Sequence, residues 1–337
     1  MKVLITGGIG NVGTAIIERL ARKGFSLRII GRRAGMKVAN AEYAQCDITD
    51  IDGLKRQVKG MDAIVHLAAF GNPSLGTPDI VFKMNCQGTF NVYEAAAKAG
   101  IKRVVTASSI NALGFGMGVR DFRVSYFPVD EEHPTFPTDA YSFSKNVVES
   151  IADFYWRRDG ISGACLRLPA VVPPPHYDEA AVKDLAMKCR AEAREMLSLS
   201  PEQRRVRYDG YMKALDNARS IRAAELPPKG WQGPVPGHFL MQMRQDLWTA
   251  VDDRDSAQAT EKALTGAYTG SNVLFINDSH NHTGVPSRTL VELFYPYITT
   301  WKKPVGDYGT LVSIDKARAL LGYEPEYSAQ RFLGQDL

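Results

Sequence analysis

The chain has 337 residues, of which 45% are apolar and 23% charged, with 41 basic against 37 acidic side chains. That balance excludes a disordered or fibrous chain, and the length suffices for one large α/β unit or two ordinary domains with a buried core. No window approaches the ~18 uninterrupted apolar residues that a membrane helix requires, and Met1-Lys2 runs straight into a strand-like stretch. Neither a membrane partner nor a secretory leader is therefore expected, and the expected location is cytoplasmic. Four cysteines, Cys46, Cys86, Cys165 and Cys189, lie without metal-ligand or CxxC spacing, which predicts buried reduced thiols and no metal site.

The first predicted element is a buried strand, Val3-Leu4-Ile5-Thr6, followed by Gly7, Gly8, Gly10 and Gly13 and then by apolar residues at helical spacing, Val12, Ile16, Ile17 and Leu20. The glycines fit Gly7-x-x-Gly10-x-x-Gly13 or Gly8-x-Gly10-x-x-Gly13. One glycine makes the tight turn, one lets the backbone approach a pyrophosphate, and one lets helix and strand pack closely. The helix N-terminus then offers free N–H groups to phosphate oxygens, so this turn predicts a dinucleotide cofactor. The second strand, Leu27 to Ile30, runs into Gly31-Arg32-Arg33. An NAD-selective site keeps a carboxylate here for the ribose 2′-hydroxyl, whereas guanidiniums suit a 2′-phosphate. NADP is thus favoured over NAD.

Strands are predicted at Ala63–Leu67, Arg103–Ala107 and about 163–168, and helices at about 82–99 and 141–158. This β-α-β-α order implies an α/β fold, a Rossmann-type doubly wound parallel sheet with ligands at the carboxyl ends of its strands. At the start of the second helix Tyr141 and Lys145 stand four residues apart, on one helix face. A phenol with a pKa of about 10 is a poor base at neutral pH, but an adjacent ammonium favours the phenolate. Beside a nicotinamide such a pair can remove a hydroxyl proton as hydride leaves the same carbon.

Gly7-x-x-Gly10-x-x-Gly13, His66-Leu67-Ala68-Ala69, Asn85-Cys-Gln-Gly88-Thr89, Ser108-Ser109 and Tyr141-x-x-x-Lys145 follow in an order that resembles the extended short-chain dehydrogenases/reductases, the NAD-dependent epimerase/dehydratase family. Leu166-Arg167-Leu168-Pro169, Val251-Asp252-Asp253 and Leu321-Gly322-Tyr323-Glu324-Pro325 look like later motifs of that family. The resemblance implies Tyr141 as acid/base, Lys145 orienting the nicotinamide ribose and lowering the tyrosine pKa, Ser109 bonding the reacting oxygen, and Asn85 supporting the lysine. It places the cofactor against Gly7, Gly10, Asn11, Val12 and Gly13, Arg32 and Arg33, Asp47 and Ile48 near the adenine, Leu67, Ala68 and Ala69, and Tyr141, Lys145 and Pro169. Substrate is expected at Ser74, Ser109, Asn111 and Tyr141. The dinucleotide-binding domain is expected over 1–172 and 236–265, and a smaller, mostly helical substrate lobe over 173–235 and 266–337, including a helical insertion at about 180–226.

The family's dehydratases carry Thr-Asp-Glu where this chain has Ser108-Ser109-Ile110-Asn111-Ala112-Leu113-Gly114, which holds no carboxylate to run an elimination. That stretch, and 286–296, resemble the uronate-dehydrogenase branch, which oxidises a free sugar acid with NAD; Arg32 and Arg33 sit awkwardly with that cofactor. The leading expectation is an NAD(P)-dependent oxidoreductase transferring hydride between nicotinamide and a hydroxyl or carbonyl carbon of a sugar, sugar acid or similar polyhydroxylated substrate. The alternatives are a sugar or nucleotide-sugar epimerase with retained cofactor, and an NADP-binding redox sensor without turnover. A homodimer is compatible with this reading, and no nucleic-acid partner is expected.

Between Gly114 and Tyr141 runs a long loop with Phe115, Phe122, Tyr126, Phe127, His133 and Phe136, whose rings either stack on substrate or anchor the loop. His133 and His176 read as turn or surface residues. In the insertion, a first helix covers 180–198, and Ser200-Pro201-Glu202-Gln203 starts a second that runs to about Leu226, with a break allowed at Gly210. Residues 183–222 carry ten basic and six acidic side chains, so the whole excess of +4 belongs to this insertion. Such mixed signs suit a solvated face, an anionic substrate or a neighbouring subunit better than nucleic acid.

Overall fold

The computed structural model describes residues 1–174 and 178–333. In chain order the elements are β1 (Lys2–Thr6), α1 (Asn11–Arg22), β2 (Ser26–Gly31), β3 (Glu42–Gln45), α2 (Ile51–Gln57), β4 (Ala63–His66), α3 (Pro78–Phe82), α4 (Gly88–Lys98), β5 (Arg103–Ser109), α5 (Ala140–Asp159), β6 (Ser162–Leu168) and β7 (Ala170–Val172). They continue as α6 (Glu179–Ser198), α7 (Pro201–Ser220), α8 (Phe239–Met243), β8 (Ala250–Asp252), α9 (Asp253–Thr265), β9 (Ser271–Phe275), α10 (Ser287–Phe294), α11 (Asp315–Leu321) and α12 (Gln330–Leu333).

Seven strands form one parallel sheet in the order β3-β2-β1-β4-β5-β6-β9, and β7 pairs with β8 in a separate parallel ribbon. Alternation along β1 divides the core. Val3 and Ile5 pack with Ile16 and Leu20 of α1 and Ala257 of α9, while Leu4 packs on the opposite face with Val92, Tyr93 and Tyr155. The strand order reverses at β1 and β4, which opens a crevice at their carboxyl ends. All four cysteines are buried and unpaired.

Three stretches sit differently from the sequence expectation. The helix expected over 82–99 is interrupted by a π-turn, Lys83–Gln87, which carries Asn85. The second insertion helix runs unbroken through Gly210 and stops at Ser220. An exposed mid-helix glycine costs about 1 kcal/mol but removes no hydrogen bond, and the expected capping box at Ser200 and Gln203 is formed. The chain turns out of the helix at Arg222, whose φ is 53°. Finally, β9 is an edge strand of the main sheet although it lies within 266–337, and Leu240, Met241, Leu247 and Trp248 pack in the lobe core although they lie within 236–265.

Candidate active site

Gly7 adopts a φ of +73°, and a Cβ there would meet the Ala68 backbone at 2.7 Å. At Gly13 a Cβ would lie 2.2 Å from the Gly8 carbonyl oxygen. Gly10 is different: its Cβ position has only the Gly7 carbonyl nearby, at 3.6 Å, and opens on free space. Gly10 also caps α1 without any side-chain acceptor, so the first N–H groups of the helix face that space. The fit to a pyrophosphate is therefore steric and electrostatic at once. Asn11 opens α1, and Val12 packs partly buried on the core beneath the turn.

The neighbouring wall is held by a continuous hydrogen-bond chain. The Ala68 N–H donates to Thr6 Oγ1 (3.2 Å), Thr6 Oγ1 lies 2.7 Å from His66 Nδ1, and His66 Nε2 lies 2.9 Å from Thr89 Oγ1. Thr89 donates onward to the Asn85 carbonyl (2.5 Å), which requires the Nε2–H tautomer of a neutral His66. Burial, reinforced by the Lys145 charge, pushes that imidazole down to about 3. Leu67 is fixed through its N–H to the Thr6 carbonyl (3.0 Å). Ala69 continues the same loop. Asp47 receives the Thr49 N–H and hydroxyl, both at 2.8 Å, and Ile48 fills the space that Gly88 leaves open. Pro169 joins β6 to β7 at the same sheet end.

Arg32 and Arg33 lie exposed beyond β2, their carbonyls held by Gln45 Nε2 (3.0 Å) and the Tyr43 hydroxyl (2.6 Å). The Arg32 guanidinium sits 6.0 Å from the Phe70 ring centre, and among the described residues neither arginine pairs with a carboxylate.

Tyr141 and Lys145 share the inner face of α5, both buried, with the ammonium 5.9 Å from the phenol ring centre. Lys145 Nζ donates to the Ala107 carbonyl (2.9 Å), and burial brings its pKa down to about 8. The expectation that Lys145 depresses the Tyr141 pKa is not met in the protein alone. Burial pushes the phenol up to about 12, a hydrogen bond with Ser109 opposes the rise, and the Asp139 and Asp246 charges add to it. Ser109 Oγ accepts from the Asn111 N–H (3.1 Å), and the Asn111 side chain abuts Gly116.

Among the described residues Asn85 makes no direct hydrogen bond to Lys145. Its Oδ1 accepts the Phe70 N–H (2.7 Å), and its Nδ2 donates to the Phe70 carbonyl (3.2 Å) and to Ser144 Oγ (2.9 Å). Ser144 in turn donates to the Tyr141 carbonyl (2.7 Å). Asn85 thus ties the loop after β4 to the helix that carries the tyrosine. The π-turn places it there.

A buried ion pair missing from the sequence reading locks α5 to the sheet. Ser108 Oγ donates to Glu149 Oε1 (2.6 Å), and Arg167 meets both Glu149 oxygens at 2.8 Å. Two signals were present: an arginine inside the apolar strand at 166–168, and a glutamate one turn after Lys145. The loop aromatics pack on one another, Phe115 with Phe122 (6.0 Å) and Phe122 with Phe136 (5.8 Å). His133 is buried, with Nε2 accepting from the Ser125 N–H (2.9 Å) and Nδ1 donating to the Pro134 carbonyl (2.9 Å). It is a neutral strut of that loop. His176 lies outside the described residues.

Beyond Gly116, which abuts the Asn111 side chain, opens a cavity of 370 Å³, lined among others by Ser74, Phe115, Met117, Arg219, Trp231 and Arg244. Ser74 is exposed on its rim, its hydroxyl donating to Asn72 Oδ1 (2.7 Å).

The model of the NAD dependent epimerase/dehydratase family matches residues 3–209. The chain belongs to this family. A uronate dehydrogenase of Pseudomonas syringae pv. tomato is 33% identical over 177 residues, covering 52% of this chain and 61% of that protein. An L-arabinose 1-dehydrogenase (NAD(P)(+)) of Haloferax volcanii is 34% identical over 174 residues, covering 50% and 66%. The chain thus spans about six tenths of the length of the curated relatives it matches. A short-chain dehydrogenase/reductase superfamily protein from Agrobacterium tumefaciens with bound NAD superposes with a TM-score of 0.64 at 21% identity, covering 99% of this chain and 95% of that one. A UDP-glucose 4-epimerase from Thermotoga maritima gives 0.62 at 20%, covering 99% and 96%. These superpositions show a shared epimerase/dehydratase fold. Among the described residues no helix is long and apolar enough to cross a membrane.

Proposed function

We propose that the protein is an NAD(P)-dependent oxidoreductase acting on a hydroxyl or carbonyl carbon of a sugar, sugar acid or similar polyhydroxylated substrate. The observation that carries this is the buried Tyr141, with Ser109 against its phenol and the Lys145 ammonium fixed on the same helix face, at the carboxyl ends of β4 and β5 beside the glycine turn. Oxidised nicotinamide, when bound, supplies a hydride acceptor and a positive charge. Gly7, Gly10 and Gly13 would hold its pyrophosphate, and the exposed Arg32 and Arg33 favour a 2′-phosphate, hence NADP.

Ser109 holds the reacting oxygen of the substrate, and Tyr141 takes its proton. A phenol at about 12 is too weak an acid to stand as phenolate at neutral pH, each unit being worth about 1.4 kcal/mol. Burial therefore disfavours the phenolate in the protein alone. Lys145, held by Ala107, would orient the nicotinamide ribose when the cofactor is bound. Replacing Tyr141 with Phe abolishes turnover and leaves cofactor binding intact; near-normal activity in that variant would refute the assignment.

A sugar epimerase with retained cofactor is the second reading, favoured by UDP-glucose 4-epimerases among the relatives. Net formation of reduced cofactor on a sugar panel supports the dehydrogenase, interconversion without it the epimerase, and tight binding without either the redox sensor. We further propose a homodimer through the outer faces of the π-turn region, α4 and α5, where Phe82, Phe90, Phe143 and Phe154 stand exposed as two stacked pairs.

A further inference from the structure

The family model's match ends at residue 209, halfway along α7, and the chain beyond it comes back to the first turn of α5. That turn carries Tyr141. A helix begins with N–H groups that have no intrahelical acceptor, and its ends are where it frays. In α5 the Asp139 side chain takes the Ser142 N–H (2.8 Å). The Ala140 N–H, next to the tyrosine, donates to Glu225 Oε1 at 3.5 Å, across 85 residues of chain.

Glu225 is built to stay there. It is 6% exposed, and Arg222 binds its other oxygen through Nε (2.5 Å) and Nη2. Both belong to a tight turn after α7. The Glu225 and Leu226 N–H groups both donate to the Arg222 carbonyl (2.9 Å), and the Ala223 N–H donates to the Ala218 carbonyl (2.9 Å). Arg222 itself sits at a φ of 53°. A residue with a Cβ keeps that conformation only where its surroundings over-determine it. Arg219 ties the end of α7 to Asp121, in the loop that leads into α5 (2.9 Å). The end of the insertion and the entry to α5 are thus one bonded unit.

The arrangement stands against a charge penalty. Burial raises the Asp139 pKa, its bonds to Ser142 oppose the rise, and the Glu225 charge adds to it. A glutamate left in solvent would spare the protein that repulsion. What the buried position gains is the pair with Arg222 and a hold on the first N–H of α5, where the positive end of the helix dipole favours an anion.

We infer that Glu225, anchored by Arg222, is a positioning residue that fixes the first turn of α5 and so holds the Tyr141 phenol against Ser109. Through it the insertion, which lies largely outside the family's common sequence, acts on the reacting centre. This rests on the oxidoreductase reading, in which Tyr141 moves the proton. A reacting group displaced by about 1 Å can lose on the order of 10²-fold in rate.

The test uses the full chain as wild type, Glu225→Ala, Glu225→Asp and Glu225→Gln. Alanine removes the acceptor. Aspartate keeps the charge but falls one methylene short of Ala140, and glutamine keeps an oxygen at full reach. Amide hydrogen exchange over residues 139–146 is followed by mass spectrometry without ligand. It quickens roughly fivefold in the Ala and Asp variants and stays near wild type in the Gln variant. NAD⁺ and NADP⁺ affinities stay within about twofold of wild type throughout, because the glycine turn is untouched. On whichever sugar or sugar acid the wild type oxidises, the Ala and Asp variants lose about tenfold in kcat with KM little changed, and Gln restores most of it. The Asp variant keeps the test decisive where Glu225→Ala does not fold. Unchanged exchange in the Asp variant, a Gln variant no better than the Asp one, or a loss carried by KM or cofactor affinity overturns the positioning role. A wild type that oxidises no member of the panel, with exchange as stated, sinks the oxidoreductase reading and leaves the hold on α5 standing. Turnover that all three variants share with the wild type does the reverse.

Discussion

Replacing Glu149 with Gln removes the negative charge between Ser108 and Arg167 while keeping the shape of the side chain. In the native protein the carboxylate takes the Ser108 hydroxyl and two nitrogens of Arg167, all three within 2.8 Å, and the Arg167 side chain is only 4% exposed. Arg167 would be left with the Phe275 ring, 5.2 Å away, and with Nη1 already unpartnered. Breaking a buried pair from one side costs about 3–5 kcal/mol, because the remaining charge stays buried. In a chain of this size that is a fall in Tm on the order of 10 °C. Thermal and urea unfolding followed by circular dichroism read it directly. The companion variant, Glu149→Met with Arg167→Met, removes both charges and should recover most of the loss, the unpaired Ser108 hydroxyl retaining about 1 kcal/mol. A second readout separates packing from electrostatics. Glu149 lies one turn from Lys145 and holds its pKa up against burial, so its neutralisation lowers the Lys145 pKa and shifts any alkaline activity limb set by that lysine to lower pH. A single variant within about 1 kcal/mol of wild type, or a double variant no better than the single, refutes the view that this pair locks α5 to β6.

Replacing Arg32 and Arg33 together by Ala should weaken NADP⁺ relative to NAD⁺ by roughly 10- to 100-fold, the worth of one or two charge-assisted hydrogen bonds, and an unchanged ratio in cofactor titrations rules out a phosphate contact. His66 titrates near 3 in the fold and near 6.5 unfolded, so the unfolded chain binds the extra proton first; stability falls as pH drops from about 6.5 towards 3, by a few kcal/mol. A His66→Gln variant should show a flatter stability profile over that window in urea unfolding. Phe90→Asp with Phe154→Asp should shift the protein to a monomer by light scattering, and an unchanged mass would place any dimer elsewhere.

The parts of this protein whose chemistry is local can be read from its residues in order. The glycine turn is legible because its requirements, a positive φ at Gly7 and no Cβ at Gly13, are met by residue type within a few positions. The alternation of elements is legible for the same reason, since each strand and helix writes its period into its own residues. So is the common face of Tyr141 and Lys145, which one helical turn sets. Contacts between segments far apart in the chain are not legible in this way. The role of Asn85 depends on a π-turn and on Phe70 and Ser144, the lock on α5 joins Glu149 to a strand 18 residues on, and the Tyr141 pKa is set by how much water packing removes. The charge of the insertion is countable from composition, but that Arg222 and Arg244 face one cavity is a fact of tertiary packing. Burial and distant pairing exist only once the chain has closed on itself, and they decide both the proton affinity of Tyr141 and the charge of the space near it.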